Sequence, residues 1–176
     1  MVRNARKPPS AAGFTLIELA ITVSILAITL AIALPSFTGL IRSNRVSTQT
    51  NAMMASLAYA RSEAIRSNTS VMGNRDVVLC PSSDGATCSA AWGDGWIVAR
   101  RVDDAVVTVL RHTQQPEGVV FGGAATEIVF DNRGRRLSGP DQITVQPYVC
   151  AAGDPYLRTL LLNAAGQARI VQGTCS

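Results

Sequence analysis

The 21 positions from Phe14 to Leu34 carry a single ionisable side chain, Glu18, about one turn from their start. A run of that length spans the hydrocarbon of a bilayer as a helix, which takes roughly 20 apolar residues. A carboxylate at the centre of such a helix costs about 2.5–3.5 kcal/mol on insertion scales, so an acid in this setting needs a partner or a task. A secretory signal peptide also joins a basic start to an apolar region, but its apolar core is roughly 7–15 residues long. The run here is longer, and it reads as an anchor. Basic residues do not orient it, since Arg3, Arg6 and Lys7 on one side face Arg42 and Arg45 on the other.

The residues that open the run, Gly13-Phe14-Thr15-Leu16-Ile17-Glu18, resemble the signature of type IV pilins and pseudopilins. The resemblance implies a leader, residues 1–13, cut after Gly13 by a prepilin peptidase on the cytoplasmic side. Phe14 then becomes the N-methylated mature terminus. It further implies that Glu18 pairs with the Phe14 ammonium of a neighbouring subunit, a contact that sets register more than strength because desolvation offsets much of the Coulomb gain. The implied partners are other pilin or pseudopilin subunits, a prepilin peptidase/N-methyltransferase and the bacterial inner membrane. The chain would cross that membrane once and hold its C-terminal domain in the periplasm. The plainer alternative for Glu18 is a surface glutamate that snorkels outward.

The formal charge of +4 is largely leader: removing Arg3, Arg6 and Lys7 leaves 13 basic against 12 acidic side chains. Net charge therefore does not argue for a polyanionic partner, and only a local basic patch could. All four cysteines, Cys80, Cys88, Cys150 and Cys175, lie beyond the anchor. In an oxidising compartment they would pair, and of three connectivities Cys80 with Cys88 and Cys150 with Cys175 is preferred. The first closes a short loop; the second ties down the C-terminus. Zinc competes poorly, because no spacing is C-x-x-C and His112 is the sole histidine.

After Pro35 and Gly39, which should kink or soften the helix, Val46, Thr50, Met53, Leu57, Ala60 and Ala64 recur in steps of four and three. The opposite face carries Asn44, Gln49, Ser56, Glu63 and Arg66, so the stretch reads as an amphipathic helix laid on something apolar. Asn68 and Gly73 mark a change of texture. Beyond them, short apolar runs between turn residues predict strands at 76–80, 95–101, 105–111, 119–121, 127–130, 142–146, 157–162 and 167–171. Turns are expected at Asp103-Asp104, Asp131 to Gly134 and Asn163 to Gly166. The division expected is a leader (1–13), a transmembrane helix (14–41), an amphipathic helix (42–67) and a β-rich domain (68–176). The fold class is α+β, with one long N-terminal helix packed on antiparallel sheet.

The stretch Val78 to Cys88, followed by Trp92, Gly95 and Trp96, resembles the GspH/FimT branch of the pilin-like families. Its members are minor pseudopilins of type II secretion or minor pilins of type IV pili. Some FimT-type members bind DNA for natural transformation through a C-terminal G-R-x-R motif. The corresponding place reads Gly166-Gln167-Ala168-Arg169 and lacks the first arginine. Arg133, Arg135 and Arg136, around Gly134 at an expected hairpin tip, could compensate with phosphate contacts to double-stranded DNA; an ordinary solvated turn is the plain alternative. Trp92 and Trp96 read as core residues before ligand-stacking ones. No catalytic grouping, metal site or cofactor motif emerges: His112 has no nucleophile motif around it, and Asp84, Asp94, Asp103 and Asp104 do not match a calcium loop. No Walker spacing is present. The chain reads as a structural subunit rather than an enzyme.

Overall fold

The computed structural model describes residues 13–67, 75–89, 91–103, 105–114, 116–123 and 127–176. The leader up to Ala12, the texture change at Asn68 and Gly73, and Asp104 lie outside them. A single helix, α1 (Leu16–Arg66), continues through Pro35 and Gly39. Proline removes one backbone donor, yet helical turns persist on both sides. The chain divides between Gly39 and Leu40 into two compact units.

In the first unit the apolar side chains of α1 stand exposed, from Leu16 at 85% to Ile32 at 75%. Its best window has a mean hydropathy of 2.4 and no buried residue, so by length and composition this helix can cross a membrane. Its hydroxyls do not oppose that. Thr22 donates to the Leu19 carbonyl (2.9 Å), Ser24 to Ala20 (2.7 Å) and Thr29 to Ile25 and Leu26 (3.0 and 2.9 Å). Each hydroxyl is satisfied by its own helix, which is what an apolar medium demands.

Among the described residues the second unit holds nine antiparallel strands: β1 (Arg75–Pro81), β2 (Gly95–Val102), β3 (Ala105–Gln114), β4 (Val119–Gly122), β5 (Ile128–Phe130), β6 (Arg136–Ser138), β7 (Gln142–Pro147), β8 (Leu157–Leu162) and β9 (Ala168–Gly173). They form a five-stranded sheet in the order β3-β2-β1-β5-β6 and a four-stranded sheet in the order β4-β7-β8-β9. Strand β6 was not expected. Arg136-Leu137-Ser138 has no apolar alternation, and it pairs only because the Asp131–Gly134 turn folds it back on β5. A 3₁₀ turn at Trp92–Asp94 likewise lacks a sequence signal.

The expected helical face is the buried one. Val46, Thr50, Met53, Leu57, Ala60 and Ala64 are all at most 3% exposed. All of them but Thr50 share one hydrophobic core with Leu79, Trp96 and Val98 of one sheet and Val119, Ile143 and Leu160 of the other. Two residues assigned to the opposite face are buried as well: Ser56 is 0% and Glu63 2% exposed. A helix packed against two sheets buries a wider arc than one lying on a single surface. The extra polar groups are therefore paired. Trp96 Nε1 donates to Ser56 Oγ (2.9 Å), which itself donates to the Ala52 carbonyl (2.9 Å).

Glu63 accepts from Arg66 Nη2 (2.6 Å) on its own helix and from Arg100 of β2. Burial works to raise its pKa, but the hydrogen bonds and charges of Arg100 and Arg66 outweigh it and hold the carboxyl below its ordinary 4.5. A carboxylate depressed in the folded state contributes stability that is fully present above the unfolded value and is lost as pH falls through the folded one. Glu63→Gln is therefore expected to lower stability by on the order of 1–2 kcal/mol at neutral pH, less than the ~3–5 of a fully buried pair because both arginines keep solvent on one side. The difference between wild type and variant should shrink as pH drops below 4.5. Denaturant titrations at pH 7 and pH 3.5 check this, and a pH-independent difference would remove the ionic role.

Cys80 is bonded to Cys88 and Cys150 to Cys175, with Cα atoms 5.5 and 5.8 Å apart. Asp84 shapes the first loop from within. It accepts from the Thr87 hydroxyl (2.6 Å), from the Thr87 and Ala86 amides (2.8 Å each) and from the Ser82 hydroxyl (3.1 Å). These bonds, led by the Thr87 hydroxyl, hold its carboxyl well below the usual range. Asp84 is occupied as a turn residue.

Candidate processing and assembly site

Gly13, Phe14 and Thr15 have no regular secondary structure, and α1 begins immediately after them. Thr15 sets that boundary. Its carbonyl accepts the first helical bond, from the Leu19 amide (3.1 Å), and its Oγ1 accepts the Glu18 amide (3.3 Å). This is the N-cap half of a capping box, with Glu18 three positions into the helix. The Thr-x-x-Glu spacing before an apolar run is the local sequence signal for this cap, which was not among the expected features. Phe14 is 85% exposed, and among the described residues a Cβ built on Gly13 would meet no atom within 4 Å. Among the described residues the Glu18 carboxylate has no hydrogen bond or ion pair. Its position still suits a negative charge, since the first turn is the positive end of the helix dipole.

The four arginines singled out for phosphate contact do not gather into one free patch. Arg135 Nε donates to Asp131 (2.8 Å), and Arg136 is paired with Asp141 and donates to the Gly139 carbonyl (2.7 Å). Burial of Asp131 raises its pKa, but hydrogen bonds from Arg135 and Arg133 win and hold it low. Arg133 remains exposed. Arg169, also exposed, lines a groove of about 720 Å³ between Met54, Leu57 and Arg61 of α1 and the β8–β9 turn.

The turn itself differs from the flexible tip expected for it. Gly134 is buried, and its carbonyl accepts Arg61 Nε (3.0 Å) from α1. A Cβ on Gly166 (φ +72°) would run into that same carbonyl, so two turns and the helix meet there without room to spare. Trp92 and Trp96, at 3% and 0% exposure, belong to the core. The acids, cysteines and histidine among the described residues form no metal-holding group of three or more.

Residues 49–166 match the family described as type II transport protein GspH, and residues 9–34 match the prokaryotic N-terminal methylation motif. Among curated proteins no sequence matches. The fold is similar to the crystal structure of the type IV minor pilin FimU of Pseudomonas aeruginosa strain PAO1. The TM-score is 0.53 at 20% identity, and the alignment covers 77% of this chain and 92% of that one. That likeness is one of fold. The GspH match runs from within the second half of α1 to the β8–β9 turn, more than half of the chain, and the chain belongs to the GspH family of pilin-like proteins.

Proposed function

We propose that this chain is a membrane-anchored minor subunit of a type IV pilus or a type II secretion pseudopilus. Prepilin peptidase cuts it between Gly13 and Phe14, the new terminus is methylated, and α1 enters the filament with the β-rich domain on the periplasmic side. The observation that carries this reading is the Glu18 carboxylate, without a partner among the described residues, on a helix whose apolar surface the subunit leaves uncovered. An intramembrane acid without an internal partner is satisfied by an external one, and a neighbour's Phe14 ammonium has the charge and the depth to serve.

Glu18→Ala and Glu18→Gln are expected to be cut normally and to enter filaments at about a tenth of the wild-type level or less, the factor that roughly 1.4 kcal/mol of lost pairing carries. Glutamine keeps the shape of the side chain while losing the charge, and it leaves the backbone amide that Thr15 caps in place. Quantifying each variant in sheared filament fractions against membranes checks this, and wild-type incorporation of Glu18→Gln would remove the ion pair. A DNA-receptor role would rest on Arg133 and Arg169, because Arg135 and Arg136 are engaged within the chain. Two phosphate contacts give a salt slope of only about −1.8 in log K against log salt. Assembly is the reading with the larger physical support.

A further inference from the structure

We propose that Thr15 is a positioning residue for the cut. Its cap holds the start of α1 downstream of the Gly13–Phe14 peptide, so that this bond reaches the peptidase as unwound chain. The inference rests on the processing reading above and adds to it the residue that presents the bond.

Hydrolysis requires water to add to the Gly13 carbonyl carbon. The bond to the Phe14 nitrogen then breaks, Gly13 departs as a carboxylate and both protons of the water end on the Phe14 nitrogen, which leaves as an ammonium. The carbonyl must be open to attack and its oxygen free to be stabilised as charge develops. In the structure both conditions hold at this peptide. Gly13 and Phe14 lie outside the helix and are exposed, and the first helical acceptor is the carbonyl of Thr15, not that of Gly13.

The boundary is held by one side chain. Thr15 Oγ1 accepts the Glu18 amide, one of the first-turn donors that would otherwise lack a partner in an apolar setting. Alanine at this position cannot cap and is the best helix former. The unsatisfied amides then favour moving the helix start upstream. If Gly13 becomes the cap, its carbonyl accepts the Ile17 amide and the scissile group is tied into the helix. An observation independent of this geometry points to an enzyme acting here, namely the match of residues 9–34 to the N-terminal methylation motif.

The test follows processing of the full-length precursor in membranes containing prepilin peptidase, by pulse-chase and intact mass, for Thr15→Ala, Thr15→Ser and Thr15→Asn, with Gly13→Arg as control. Thr15→Ala is expected to be cut about fivefold more slowly, the factor that an ordinary N-cap carries, while the capping residues serine and asparagine restore the wild-type rate. An alanine variant cut at the wild-type rate, with Gly13→Arg uncut, overturns the role of Thr15 and leaves the cut site standing. Slow cutting of all three Thr15 variants also overturns it, since the peptidase would then be reading threonine itself. Normal cutting of Gly13→Arg overturns the processing reading and this proposal with it.

Discussion

Gly13→Arg is expected to leave the chain as an uncut precursor, with processing slowed by roughly a hundredfold, because a displacement on the order of 1 Å at a reacting centre already costs that much. The site makes this a clean experiment. Among the described residues a Cβ on Gly13 would touch nothing within 4 Å. Substitution therefore costs the described subunit no packing, and a block is expected where the peptidase must close on the bond. Immunoblots of membranes should show a single band at precursor mass, and the N-terminal residue should be that of the leader. Mature chain beginning at Phe14 in that variant would refute the assigned cut.

Trp96→Ala carries the largest expected loss of stability, about 3–5 kcal/mol, as for other buried tryptophans truncated to alanine. Trp96 is wholly buried on β2, tilted 59° against Phe121 with ring centroids 5.5 Å apart. Its Nε1 supplies the hydrogen bond to Ser56 on α1. Truncation thus opens a cavity where the helix meets both sheets and also strips a buried hydroxyl of its donor. Trp96→Phe should recover most of the apolar packing but not that bond, leaving a deficit of roughly 1 kcal/mol or more. Tyr148→Ala is the contrast, because Tyr148 is 80% exposed and its removal should fall within about 0.5 kcal/mol. Thermal melts of the unit from Leu40 to Ser176 check all three, and a Trp96→Ala melt within 1 kcal/mol of wild type would show that this ring does not anchor the helix.

Much of this molecule was legible one segment at a time. The stripe from Val46 to Ala64 follows from helical spacing, and β8 lies where its apolar run predicts, Leu157–Leu162. Those patterns are written in covalent spacing, which survives without knowledge of the path of the chain. The cap that Thr15 places on the Glu18 amide is of the same local kind and was available from the sequence. The ion pair of Arg135 with Asp131, four residues apart, was within the same reach.

The residues that were misplaced have partners far away. Ser56 and Glu63 sit on the polar side of a helical wheel, and their burial depends on Trp96 and Arg100, 40 and 37 residues distant. Gly134 reads as a free turn tip until Arg61 and Gly166 are brought against it from α1 and the β8–β9 turn. Arg136 reads as a phosphate ligand until β6 forms and Asp141 lies beside it. The long apolar run, the N-terminal methylation motif and the family signature were legible in the sequence alone, because each is a property of neighbouring residues. Which polar groups are buried, and which cations remain free for a partner, only the tertiary structure decided, since a charge is spent or available according to what the fold sets next to it.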